Sequence, residues 1–168
     1  MTTARQKRKQ YRAGLAFGAR LLACIGLFFI FGPSSRAAAE RIVVDWHSGL
    51  AIAGYDPVAF FTDGKPMAGR AELELRYGGV VWRFTNVGNR AAFAARPDVY
   101  MPQYGGYDPL GVARGVAVAG NPFVWLIVDE RLFLFYNAAR RDSFAADPDR
   151  VIGSANRKWP ELLRTLTP

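Results

Sequence analysis

Cysteine is nearly absent from this chain. Of its 168 residues one is cysteine, Cys24, and it lies within residues 1–39, a segment that also holds no acidic residue. The remainder, residues 40–168, therefore has no thiol, which excludes a disulfide, a thiolate nucleophile and a thiolate metal site there. Histidine is as scarce, His47 being the only one. A triad of Ser48, His47 and Asp45 is formally available, but side chains adjacent in sequence rarely converge in that way. Ser48 also lacks the Gly-x-Ser-x-Gly setting of a nucleophile elbow. The glycines at Gly105-Gly106 and Gly111-x3-Gly115 lack the Lys-Ser/Thr ending of a phosphate loop.

The net charge of +8 is unevenly placed. Seven of the 22 basic residues (Arg5, Lys7, Arg8, Lys9, Arg12, Arg20, Arg36) lie in residues 1–39, leaving 15 basic and 14 acidic residues beyond. The body is thus close to neutral and shows no basic stripe, so no nucleic-acid partner is expected. The basic start, the apolar run over 21–31 and the small residues ending Ala37-Ala38-Ala39 follow the order of a secretory signal, with cleavage before Glu40. The alternative is an uncleaved anchor over residues 14–32, but Arg20 interrupts it and the clean apolar stretch is shorter than a span of about 20 residues. In either case the basic flank stays in the cytoplasm and the body is exported, to the periplasm in a bacterium, with the membrane engaged only through an uncleaved leader. Cys24 sits in a sequence faintly like a lipoprotein cleavage box, yet the apolar run continues past it, so lipidation is not expected. No Arg-Arg pair precedes that run, and a twin-arginine route is not supported.

Residues 40–168 fit a single small α+β domain: two antiparallel β-hairpins flanked by short helices. Residues 42–46 read as a short strand. Residues 73–77 and 80–84 alternate about Gly78-Gly79, a dipeptide suited to a two-residue hairpin turn. A second hairpin is expected from 123–128 and 131–136 about Asp129-Glu130. Asn86 or Asn89 caps a helix reaching Ala95 and closed by Arg96-Pro97, and two further helices are expected over 138–146 and 149–159. The aromatics Trp82, Phe84, Phe93, Tyr100, Trp125, Phe133, Phe135 and Tyr136 fall at spacings that suit a core.

The tetrapeptide Gly-Tyr-Asp-Pro occurs twice, at positions 54–57 and 106–109. Asp before Pro is a helix-start pattern: the carboxylate caps, and proline occupies the first turn, where no N–H is needed. The bland expectation is that Asp56 and Asp108 are caps. The sharper ones are that they form an acid–base pair, or that with His47 and the phenols of Tyr55 and Tyr107 they hold a metal ion through oxygen and nitrogen. Around the second copy, Tyr104, Tyr107 and Arg114 beside flexible glycines suggest a ligand-facing surface. Beyond the tetrapeptide no internal repeat is expected.

Several separated landmarks share one order: Asp56-Pro57-Val58, Tyr77-Gly78-Gly79 leading to Trp82-Arg83-Phe84, Asn89-Arg90 with Phe93, Pro97 and Tyr100, then Tyr104-Gly105-Gly106-Tyr107 and Trp125 with Tyr136-Asn137. Together they resemble the YHS domain family, in its exported bacterial branch, over residues 42–160. The resemblance implies a compact α+β domain and, in several members, transition-metal handling. It also implies cysteines that this chain lacks: the positions after Asp-Pro-Val and beyond the second strand read Ala59, Thr85 and Asn89, and the position after Gly-Gly-Tyr reads Asp108. On this reading the first Gly-Tyr-Asp-Pro is the family's entry motif, and the second is a substituted corner rather than a duplication. The expected function is a non-catalytic binding or accessory module of unknown ligand, small molecule or protein. The alternatives are a metal-binding protein using His47, Asp56 and Asp108, and a small enzyme using the Asp56/Asp108 pair. No cofactor is required by the sequence.

Overall fold

The computed structural model describes residues 41–166. The export signal over 1–39, the anchor over 14–32, Cys24 and the cleavage point before Glu40 lie outside the described residues. Among the described residues no helix is long and apolar enough to cross a membrane.

The fold is small and α+β, and its elements come in one order twice. A left-handed 3-10 turn, Ile52–Gly54, leads to α1 (Ala59–Thr62), the hairpin β1 (Arg70–Tyr77) and β2 (Val80–Phe84), then α2 (Val87–Ala95) and α3 (Pro97–Tyr100). A second 3-10 turn, Gln103–Gly106, leads to α4 (Pro109–Val112), β3 (Asn121–Val128) and β4 (Arg131–Phe135), then α5 (Ala138–Ala145) and α6 (Pro148–Thr165). Each hairpin is a separate two-stranded antiparallel sheet. The two are irregular at the same place, with a register shift between Arg70 and Glu74 in one and between Asn121 and Trp125 in the other.

The likeness reaches individual bonds. Asp56 N–H donates to Met67 O and Asp108 N–H to Val118 O, both at 2.8 Å; Gly69 N–H donates to Gly54 O and Gly120 N–H to Gly106 O, both at 2.9 Å. Gly69 and Gly120 have no room for a Cβ, which would run into Arg83 and Leu134 of the paired strand. Asn86 caps α2 and Asn137 caps α5, each accepting from the backbone N–H three residues on. The molecule is thus a tandem structural repeat with a period of about 51 residues. This corrects the expectation that no internal repeat exists beyond the tetrapeptide.

The halves share one interior. In β2, Val80, Trp82 and Phe84 are buried and the residues between them half-buried, the period-2 pattern of a strand with one inner face. β4 is buried on both faces: Leu132 and Leu134 join the core of Trp82, Phe84 and Phe93, while Phe133 and Phe135 join that of Tyr104, Phe144 and Ile152. Phe93 packs against Trp82 and Phe84, and Phe144, its counterpart, against Phe133 and Phe135.

Four expectations need correction. Residues 42–46 contribute one isolated bridge, Val44 with Ala51, rather than a strand, because Asp45 draws the chain into a turn. Tyr136 is 58% exposed, not core. α6 continues past Trp159 through Pro160 to Thr165. The short helix α3 is not expected from the sequence, since four residues carry too little periodicity to read, whereas α4 starts at the expected Asp108-Pro109 cap.

Candidate functional site

Asp56 and Asp108 are fully buried, and each carboxylate is engaged on both oxygens. Asp56 Oδ1 accepts from the backbone N–H groups of Val58 (2.9 Å) and Ala59 (3.4 Å) at the start of α1. Its Oδ2 accepts from Thr85 N–H and Thr85 Oγ1, both at 2.8 Å, and from Asn89 Nδ2 at 2.7 Å. Asp108 repeats the plan. Oδ1 accepts from Leu110 N–H (2.9 Å) and Gly111 N–H (3.0 Å), and Oδ2 from Tyr136 N–H (3.0 Å). Here a cation replaces the amide, Arg140 Nη1 lying 2.9 Å from Oδ1. Each carboxylate therefore caps a short helix with one oxygen and with the other holds the chain leaving the following hairpin. Burying a carboxylate is tolerable only with such a shell of donors. No buried side-chain polar atom among the described residues lacks a partner.

The two aspartates occupy equivalent places in separate halves and share no hydrogen-bonding partner. His47 is exposed on the turn after Asp45 and lies against Trp46, their ring centroids 3.3 Å apart. Among the described residues no three His, Cys, Asp or Glu side chains lie together as a metal site, so His47, Asp56 and Asp108 do not form one ligand set. Ala59, Thr85 and Asn89, where the resembled family's metal-associated members carry cysteine, do converge, all three donating to Asp56. Hydrogen-bond donors occupy that place in this chain.

The tyrosines divide. Tyr55 is half-buried with its ring edge-on to Phe123, centroids 5.0 Å apart. Tyr104 is buried; its hydroxyl donates to Asn156 Oδ1 at 2.9 Å, and burial pushes its pKa up to about 12. It belongs to the core and also lines a cleft of about 310 Å³ with Arg41, Met101, Gln103 and Trp159. Tyr107 is 9% exposed, near Trp159, and still lines an open cleft. Arg114 is exposed on the loop after α4.

That cleft, about 440 Å³, runs between residues 43–49 and the second corner, with Val43, Val44, Trp46, Tyr107 and Ala119 in its walls. Residues 41–50 reach it by tying the two halves together: Val43 N–H donates to Gly105 O at 2.7 Å, and Ile52 N–H donates to Val43 O at 3.0 Å. Gly105 is held to glycine because a Cβ would meet Arg41 O. Asp45 sets the turn beyond this strap, Oδ1 accepting from His47 N–H (3.2 Å), Ser48 N–H and Ser48 Oγ (both 2.8 Å). These bonds, Ser48's foremost, hold its carboxyl below the usual carboxylate range. Trp46 at the tip is 84% exposed.

Trp46 and Arg140 lie outside the site residues expected from the sequence, and Asp45 enters there only as the acid of a formal triad. Arg140 was legible, since it follows Asn137 as Asn89 follows Asn86. Comparison with protein-family models, with curated proteins and with solved structures finds no match for this chain.

Proposed function

We propose that residues 41–166 form a non-catalytic binding or accessory domain of YHS type, carried outside the cytoplasm behind its leader. The observation that carries this reading is the saturation of Asp56 and Asp108. A fully buried carboxylate whose oxygens already accept four or five hydrogen bonds from the protein has no lone pair directed at solvent. The most polar buried groups of the molecule are thus spent on holding corners and hairpins together. What faces solvent beside the second corner is a cleft with aromatic walls, the kind of surface that binds without chemistry.

The reading is tested on purified protein with Asp56→Asn and Asp108→Asn. Both are expected to lower the unfolding midpoint, and titration with copper or zinc is expected to give no stoichiometric heat in wild type. A stoichiometric metal ion lost in His47→Ala, or a hydrolytic or isomerase activity lost in a folded Asp108→Asn protein, overturns it.

A further inference from the structure

We propose that the cleft beside Trp46 is a binding site for an organic cation, an alkylammonium group. The inference rests on the binding-module reading above and names the ligand chemistry of its open cleft.

Trp46 is the most exposed large apolar side chain among the described residues, at 84%, ahead of Phe123 and Val87 at 62%. An indole left standing in water on a braced turn forfeits the burial that normally stabilises tryptophan. The turn is not loosely held. Asp45 Oδ1 takes three hydrogen bonds from His47 and Ser48, Gly49 N–H returns to Asp45 O at 2.7 Å, and Asp45 N–H reaches Leu50 O at 3.0 Å. The indole is therefore presented on a defined scaffold, with Tyr107, Val43, Val44 and Ala119 lining the cleft behind it.

The charge is one-sided. Among the described residues Asp45 is the only carboxylate lining the cleft, and no Lys or Arg does so. Its Oδ1 is occupied by the turn, while Oδ2 accepts no hydrogen bond among the described residues. The Ser48 hydrogen bonds lower the pKa of this carboxyl further, and like any aspartate it is charged in the neutral range. Aromatic faces, aliphatic walls and one unneutralised carboxylate are the complement of an ammonium group with carbon substituents: the rings attract the cation by their quadrupole, the walls take its methyl groups, and the carboxylate supplies the charge. A phosphate or carboxylate ligand would meet repulsion there. His47 lies against one side of the Trp46 ring, leaving the other to the ammonium.

Two rings and one carboxylate at an open site are weak contacts, so a free amine is expected to bind with a dissociation constant on the order of 10 mM. The test is a titration of the full chain with tetramethylammonium chloride, followed by the Trp46 indole N–H resonance, with tert-butanol as the neutral isostere. A saturable shift with the cation and none with the alcohol is expected, weakened about tenfold in Asp45→Asn; in Trp46→Ala, read instead from the backbone amide of Ala119 in the same cleft, no saturable shift is expected. Parallel arms with butylammonium and with a lysine-containing peptide separate the two sources of the group. A peptide bound more tightly than the free amine assigns the cleft to a partner's lysine, and equal binding assigns it to a small cation. No saturable shift up to 100 mM, an equal response to tert-butanol, or full binding by Asp45→Asn overturns the proposal. Asp45→Asn and Trp46→Ala leave Asp56 and Asp108 untouched. Failure in the cleft is therefore separable from an activity appearing at the aspartates, which would sink the wider reading instead.

Discussion

At the scale of the residue, the two buried aspartates carry the most consequence per atom. In Asp56→Asn one carboxylate oxygen becomes an NH2 group that faces N–H donors on either side, the α1 amides or Thr85 and Asn89. A buried donor set against donors costs about 2 kcal/mol or more, and urea unfolding of Asp56→Asn is expected to show at least that loss with an unchanged m-value. The capping half of this role was legible in the Asp-Pro step. The second oxygen's partners, Thr85 and Tyr136, stand 29 and 28 residues further along the chain and only the fold brings them in. Tyr104 offers a pH signature. Its folded pKa is raised from 10.0 to about 12, chiefly by burial. The raised value means that the stabilisation is complete below pH 10 and is lost as the pH climbs from 10 to 12, where the unfolded chain sheds the proton first. Denaturant midpoints measured from pH 8 to 12 should fall over that window, and less steeply in Tyr104→Phe.

Among the elements, the two hairpins solve one turn with different residues. Gly78 and Gly79 take φ of +63° and +86° without strain, whereas Asp129 and Glu130 are held at +49° and +57° in the same place. A side chain in the left-handed region costs about 1–2 kcal/mol, and glycine adds unfolded-state entropy worth about 0.4–1 kcal/mol. Glu130→Gly is therefore expected to raise stability by roughly 0.5 kcal/mol and Gly79→Ala to lower it by about 1 kcal/mol, both read from thermal or urea unfolding. Both hairpins, α2 with its Asn86 cap and α5 were legible because alternation, turn dipeptides and Asn caps are local signals. The strand expected over 42–46 is not formed because its neighbours are the two corners: Val43 donates one bond to Gly105 O and accepts one from Ile52 N–H, and beyond the single bridge at Val44 the chain turns at Asp45.

For the whole molecule, the repeat is the organising fact, and more of it stands in the sequence than the tetrapeptide. Phe93–Asp98 reads Phe-Ala-Ala-Arg-Pro-Asp and Phe144–Asp149 reads Phe-Ala-Ala-Asp-Pro-Asp; Ala68-Gly69 is matched by Ala119-Gly120, and Phe84-Thr85-Asn86 by Phe135-Tyr136-Asn137. These matches recur at a spacing of about 51 residues but are short and broken by unlike residues, so no contiguous motif longer than the tetrapeptide marks the repeat. The halves are not independent, because β4 is buried on both faces and belongs to both cores. Unfolding is thus expected to be one cooperative transition: far-UV circular dichroism and tryptophan fluorescence should coincide in wild type, and Asp56→Asn and Asp108→Asn should each shift that single transition rather than split it. Two separate transitions would show that the shared strand does not couple the halves.

The sequence by itself determined the α+β class, the hairpin turns, the asparagine caps and the capping use of the aspartates, because each depends on residues within a few positions of one another. It also determined that the body has no thiol to offer. The tertiary structure decided the rest. It placed a hairpin end on each buried carboxylate, substituted Arg140 for Asn89 as the side-chain donor in the second half, and drew residues 41–50 across both corners. It left Trp46 in solvent beside an ionised Asp45. Those outcomes depend on contacts between segments far apart in the chain, where local propensity carries no information and only packing can choose.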